Sequence, residues 1–437
     1  MCVEHSAEAQ ICLPTAVENS TAGGWIKFVA VKHFSRLCCA ATADGVCWKG
    51  VYGGLIPRSP RWRTLWPTRR ESLQERFHPP ANRGGMKGGR TLSGVTLRIG
   101  EARGREEWNS ALACAPRNDL LQSWQWGEFK LHSGGWRPTR LLVWRGDEPV
   151  AGVQLLSRRV LGVQSVYAPR GPWWQDDEAL AALVRRLRRS LRFAAPFLRV
   201  DPLIEDAAPL TRLGFRLAPR QVQPRATIVV DLTSPPNEIL AGFDQQVRYN
   251  ARLAERKAVD VLQGGIELVD DFYHLLAATA ERKGFAERDI SYFRQLVSDF
   301  GDDAPVFLAR YDGKIIYGAI VVMFGATAYY LYGASGGERK VKPSELVQYR
   351  SMIWAKERGA THYDMWGIPA HPTPENPLYG VYRFKSGFGG IEQRYCGALD
   401  LPLLPAVGRA SPGLEATAIK LRALAAGKGF RIEDHLA

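Results

Sequence analysis

The chain has 437 residues, 46% of them apolar, and a formal charge of +14, so it holds enough material for two or three buried cores and is not a disordered polymer. It contains no uncharged apolar run of about 18 residues, no basic-then-apolar leader and only two Cys beyond the first fifty residues, so no spanning helix, secretory signal or disulfide framework is expected and the chain reads as cytoplasmic. The positive charge favours polyanionic partners such as RNA, a nucleotide-linked substrate or an anionic membrane face, unless it reflects only an Arg-rich composition.

Residues 1–85 carry 11 Lys/Arg against 6 Asp/Glu, scattered Trp, Pro and Cys, and no sustained periodicity. They are expected to be a disordered extension, or to follow a start assigned too far upstream, with Met86 as the alternative initiator. A zinc site from His33, Cys38, Cys39 and Cys47 is weighed and set aside, because adjacent Cys are poor partners for one tetrahedral ion.

A first domain is expected over 86–230. Leu141–Trp144, a turn at Gly146-Asp147 and Val150–Leu156 form a hairpin pattern. A further apolar run ends at Tyr167-Ala168-Pro169-Arg170-Gly171-Pro172. Leu180, Leu183, Val184, Leu187 and Leu191 then mark one face of a helix whose other face carries Arg185, Arg188, Arg189 and Arg192, and a short strand ends at Asp201.

A second domain, over 231–396, repeats the order: Val306–Ala309, a turn at Asp312-Gly313, Ile315–Phe324, a strand reaching Tyr332–Ser335, a helix over 344–358 and the run Thr361–Trp366. Gly152 and Gly318, Tyr167 and Tyr332, and Asp201 and Asp364 are 166, 165 and 163 positions apart. The expected fold class is therefore α+β, two tandem domains with a mixed central sheet each, in the order of the acetyltransferase (GNAT) core. Neither copy has that fold's Gly-rich loop for the coenzyme A diphosphate, which argues for a different donor. Residues 397–437 are expected to supply a strand returning to the first domain and an appended helix over 413–426.

Four segments carry a family pattern: Leu121–Lys130 with its Trp124-Gln125-Trp126, Val247–Lys257, Tyr363-Asp364-Met365-Trp366-Gly367-Ile368-Pro369, and Tyr382-Arg383-Phe384-Lys385-Ser386-Gly387-Phe388-Gly389-Gly390 followed by Leu399–Pro402. Over roughly residues 95–405 the chain resembles the FemABX family of tRNA-dependent aminoacyltransferases that build peptidoglycan interpeptide bridges, in a short form without a coiled-coil arm. The resemblance implies an aminoacyl-tRNA donor, an acceptor that is lipid II or its soluble UDP-linked muramyl-pentapeptide precursor, and peripheral contact with the inner membrane face.

It also places the family's oxyanion-stabilising Lys at Lys385, with Arg383 and Phe384 beside it as substrate contacts; a fixed cation there is worth about 3 kcal/mol. Acceptor-binding positions fall on Lys130, on Arg288 with Tyr292, and on Tyr332. Arg288 and Tyr292 are spaced one turn apart on a helix that Asp289 is expected to cap, the alternative being an ordinary surface pair. Asp364 and Asp400 are candidates to orient the amine or take its proton, although Asp364 also reads as a structural strand end. Arg248, Arg252, Arg256 and Lys257 form a basic helix face for tRNA phosphates or for solvent, and the Arg-rich 185–192 face is a second candidate for tRNA. No metal, cofactor or covalent intermediate is expected. The competing functions are a GNAT-type acyltransferase acting on an exopolysaccharide or a protein N-terminus, and a non-catalytic RNA-binding protein.

Overall fold

A computed structural model of the chain describes residues 96–404 apart from positions 161, 284–287, 339 and 377. The 1–85 extension, the candidate zinc residues and the 413–426 helix lie outside the described residues. No helix among the described residues is long and apolar enough to cross a membrane.

In the first half, β1 (Leu97–Glu101) and α1 (Arg105–Ala113) lead to α2 (Trp124–Gly134). Ser123 starts α2 by accepting the Trp126 N–H at 3.1 Å, and Gly135, at φ +65°, ends it. The strands β2 (Arg137–Arg145), β3 (Glu148–Val160) and β4 (Val163–Ala168) form an antiparallel meander, onto which β5 (Trp173–Trp174) folds back against β3. The crossover helix α3 (Asp177–Leu191) is capped by Asp176, which accepts the Ala179 N–H at 2.9 Å. Its Leu180, Leu183, Val184 and Leu187 are buried, each contributing roughly 1.5–3 kcal/mol. Next come β6 (Phe197–Val200), α4 (Ala208–Thr211) and β7 (Arg216–Leu217).

The second half comprises β8 (Ala226–Asp231), α5 (Pro236–Ala241), α6 (Gln245–Arg256), β9 (Asp260–Gly264), α7 (Val269–Lys283), α8 (Ile290–Phe300), β10 (Val306–Tyr311), β11 (Lys314–Phe324), β12 (Thr327–Ser335), α9 (Pro343–Glu357), β13 (His362–Ile368), α10 (Tyr379–Ser386) and β14 (Ile391–Arg394), and the described chain closes with β15 (Leu399–Pro402).

The two sheets have one topology. The first runs β1-β2-β3-β4-β6-β15-β7 and the second, taken from its other edge, β9-β10-β11-β12-β13-β8-β14. In each, an antiparallel meander meets a parallel strand reached through a helix, β6 beside β4 and β13 beside β12. An antiparallel strand from elsewhere in the chain follows: β15 beside β6, β8 beside β13. The expected division at 230/231 cuts through β8, which belongs to the second sheet; that sheet is drawn from the contiguous stretch 226–394, whereas the first takes its sixth strand, β15, from beyond the second. This is the α+β, tandem GNAT-like architecture.

The ladders refine the repeat. Gly152 opposes Leu142 and Gly318 opposes Leu308, and both hairpins have a register shift one residue later, after Val143 and after Ala309. A Cβ would lie 2.8 Å from the Trp173 ring at Gly152 and 2.9 Å from the Phe272 ring at Gly318, so both glycines give an aromatic ring room to lie on the strand. The other two pairings suggested by spacing are corrected. Tyr167 is level with Arg199, and Tyr329 with Asp364, so Tyr167 corresponds to Tyr329 and Asp364 to Arg199. A bulge after Ile320 and an irregularity between Asp364 and Gly367 shift the later residues, and constant sequence spacing does not survive a bulge.

One core packs α3 on the first sheet and another packs α9 on the second. A third joins the halves: Trp108, Trp126, Phe129 and Trp173 from the first meet Phe272, Tyr292, Phe293, Tyr332 and Trp366 from the second.

Candidate active site

Four residues expected to bind acceptor come together at this shared core. Asp289 caps α8 by accepting the Ser291 N–H at 2.9 Å, so Arg288 lies just outside the helix and not on it. Its guanidinium still stacks 4.5 Å from the Tyr292 ring centroid. The Tyr292 hydroxyl is 3.1 Å from that of Tyr332. Lys130, on α2, is 3% exposed, with Nζ 5.5 Å from the Tyr292 ring and 5.7 Å from that of Phe129. Burial lowers its pKa, opposed by Tyr292 and reinforced by Arg158. Two cations and a hydroxyl pair grouped on one aromatic ring suit an anionic ligand, whose charge would offset that desolvation.

Lys385 lies against the other face of β12. The last paired residues of the parallel β12–β13 ladder are Tyr329 and Asp364; beyond them Lys385 touches both strands. Its Nζ donates to the Gly367 carbonyl of β13 at 2.8 Å and sits 5.8 Å from the ring of Tyr330 of β12. The residue is 2% exposed, and its position on α10 is fixed in part by Phe384, whose ring meets Phe388 edge-on at 5.2 Å. Arg383 is exposed. The Tyr330 hydroxyl bonds that of Tyr317 at 2.8 Å, and Tyr363 donates to Gln348 at 2.9 Å while pairing with Ser351 at 2.8 Å. This buried network beneath α9 fixes the strands that carry the lysine's contacts.

Asp364 accepts from the Thr227 hydroxyl and, at 2.7 Å, from the Trp366 backbone N–H. It thereby holds Trp366 at φ +62°, a costly conformation for a bulky residue. Burial raises the Asp364 pKa, while Thr227, Trp366, Arg170 and Lys385 pull it down. The carboxylate is thus tied to the backbone of its own strand and in electrostatic contact with Lys385. Asp400 stands elsewhere: on β15 of the first sheet, with both oxygens engaged by Arg199 at 2.8 and 2.9 Å. A buried bidentate pair acts as a structural clamp, and it competes with the acid-base role expected of Asp400.

The basic face of α6 also divides. Arg252, Arg256 and Lys257 are exposed, with Arg256 5.6 Å from the Tyr249 ring. Arg248 instead donates to the carbonyls of Ala241 and Phe243 at 2.7 and 2.8 Å, tying down the end of α5, which competes with a phosphate for its guanidinium.

One group went unnoticed in the sequence. Arg170, 5% exposed and at φ +52°, donates to the Pro224 carbonyl at 2.9 Å and lies 4.7 Å from the Tyr395 ring. Its Nε and Nη1, and Oδ1 of Asp201, have no hydrogen-bond partner among the described residues. Burial pushes the carboxyls of Asp119 and Asp201 up to about 6, with Arg170 the largest opposing influence on each. Asp201 also accepts from Gln223 N–H at 2.9 Å and Tyr167 Oη at 3.3 Å. The available signal was the segment Pro169-Arg170-Gly171-Pro172, a charged residue inside a rigid turn between two apolar runs.

An acyl-coenzyme A diphosphate does not fit either helix start. α9 begins with Pro343, which has no N–H, and with Glu345, which accepts from Asn250 and Ser344, both at 2.7 Å. α3 begins with Asp176, Asp177 and Glu178, two of them bridged by Arg145 at 2.7 and 3.1 Å. Carboxylates occupy the positions where a helix dipole would otherwise attract phosphate.

The FemAB family model matches residues 213–314 and 310–411. The chain is 26% identical to the lipid II:glycine glycyltransferase of Staphylococcus aureus over 407 residues, covering 72% of this chain and 96% of that protein. Among solved structures, the crystal structure of FemX superposes with a TM-score of 0.66 at 26% identity, over 72% of this chain and 99% of that one. A tandem GNAT protein from the clavulanic acid biosynthesis pathway aligns at 13% identity and a TM-score of 0.44, over 71% and 99%. The family-model match falls on the strands and helices that carry Lys385, Tyr292 and Tyr332, and the chain is similar to the FemAB family, to the glycyltransferase and to FemX over most of its described length.

Proposed function

We propose that this chain is a Fem-type aminoacyltransferase of peptidoglycan bridge formation, moving an amino acid from an aminoacyl-tRNA to the side-chain amine of a precursor stem peptide. The observation that carries the reading is the buried cation of Lys385, held by the Gly367 carbonyl at 2.8 Å where β12 and β13 part. The acceptor amine attacks the ester carbonyl carbon, a C–N bond forms, and the tetrahedral intermediate places negative charge on the former carbonyl oxygen. Collapse breaks the ester C–O bond, the tRNA ribose hydroxyl leaves, and the amine loses one proton. A preorganised cation facing that oxygen is worth about 2.7–4 kcal/mol.

Lys130, Arg288, Tyr292 and Tyr332 hold the anionic part of the acceptor in this scheme, Arg383 and Phe384 flank the reacting groups, and Asp364 positions Lys385 and Trp366. The exposed Arg252, Arg256 and Lys257 meet tRNA phosphates. The acidic starts of α3 and α9 count against an acyl-coenzyme A donor and so against an ordinary GNAT acyltransferase. Incubating the purified chain with charged tRNA and either lipid II or the UDP-linked muramyl-pentapeptide should add the mass of one or more aminoacyl residues, glycine being the first to try given the S. aureus relative. No product with any charged tRNA and either acceptor would refute the reading.

A further inference from the structure

α3 carries more cations than its packing uses. Arg185, Arg186, Arg189 and Arg192 are all exposed, and none of them is in an ion pair among the described residues. Arg188 differs, donating to the Leu213 carbonyl at 2.7 Å. The negative end of a helix dipole accounts for a cation in the last turn. It accounts for Arg189 in the last turn and for Arg192 at the cap, but not for Arg185, nor for the spacing that puts Arg185, Arg189 and Arg192 on one outward stripe. Because the opposite face of α3 is buried against the first sheet, the stripe is a preformed rigid row.

Immediately after it stands Phe193, 82% exposed, a large ring in water beside a row of uncompensated charge. The Arg192 guanidinium covers one of its faces at 4.2 Å. Single-stranded RNA surfaces interleave cations with open aromatic faces on which bases stack. Here the outward stripe has no aromatic residue, and the ring beyond its end is already stacked on one side. A row of cations ended by one protruding apolar ring suits a bilayer, where phosphate headgroups meet the row and the ring enters the interface.

We infer that the α3 stripe with Phe193 docks the protein on an anionic phospholipid surface. The inference rests on the proposed function for its purpose, since a lipid-linked acceptor lies in such a surface, but not for its test. Full-length chain should co-sediment with phosphatidylcholine vesicles containing phosphatidylglycerol and not with phosphatidylcholine alone, and added salt should release it, because the Debye length shrinks to about 3 Å at 1 M. The variant R185E/R189E/R192E should bind the anionic vesicles more than about tenfold more weakly, and F193S severalfold more weakly with its salt dependence retained, both with parental melting temperatures. Equal binding to the two vesicle types, or unchanged binding by the triple variant, would overturn the inference. So would a triple variant that keeps vesicle binding and loses a gel shift with RNA, an outcome that assigns the stripe to RNA. Transfer to the water-soluble muramyl-pentapeptide should stay at the parental rate in F193S, which lies outside the basic face, and this separates a failure of docking from a failure of the proposed reaction.

Discussion

Replacing Lys385 by Met isolates the charge from the volume. The side chain is 2% exposed and its Nζ makes a 2.8 Å hydrogen bond to the Gly367 carbonyl. Losing that bond leaves a buried acceptor unsatisfied, at about 1–3 kcal/mol. The fold also no longer holds a desolvated cation, which offsets part of that cost, and the flexible Met chain refills the space. Net stability should change by no more than about 2 kcal/mol, visible as a small shift in melting temperature with an unchanged circular dichroism spectrum. Chemistry should suffer far more. Removing one oxyanion-stabilising group costs about 10²–10³ in turnover, so single-turnover transfer from charged tRNA should slow by that factor with both substrates saturating. A folded K385M protein with kcat within about threefold of the parent would refute the assigned role, as would a rise in KM with kcat unchanged, which marks a binding residue.

Three further outcomes follow from the geometry. Asp400→Asn breaks the buried bidentate pair with Arg199 and should destabilise the chain by about 3–5 kcal/mol, read by urea denaturation, with turnover preserved below the lowered melting point; loss of turnover in a stable variant would restore a catalytic role. Tyr332→Phe leaves the Tyr292 hydroxyl without its 3.1 Å partner and should raise the KM for the acceptor with little change in kcat, whereas an unchanged KM would remove this pair from the acceptor site. The carboxyls of Asp119 and Asp201 lie at about 6 in the folded chain against 3.8 for the ordinary group. The folded state therefore retains protons that the unfolded chain has released, and their stabilising contribution, present below that window, is lost as the pH rises through it, by up to about 3 kcal/mol for each group. The stability difference between parent and Asp201→Asn, from urea midpoints at several pH values, should change across that window; a constant difference would contradict the assignment.

The amino-acid sequence by itself determined what depends on neighbours along the chain. Hairpin turns at Gly146 and Asp312-Gly313, the apolar stripe of α3, the Asp289 cap and the Gly152/Gly318 equivalence are set by backbone preference and local periodicity, which operate over a few residues. The Tyr363–Pro369 and Tyr382–Gly390 motifs pointed to the family for the same reason, being contiguous. What concerns partners far apart in the chain was decided only by tertiary structure. The return of β15 to the first sheet, the bulge that shifts Tyr332 out of the repeat, the clamp of Asp400 on Arg199 across 201 positions, and the burial that sets Arg170 among Asp119, Asp201 and Asp364 all depend on which surfaces meet. Whether a carboxylate near Lys385 in sequence does chemistry or holds a strand is a matter of what faces it, and that is fixed when the two sheets and their shared aromatic core close together.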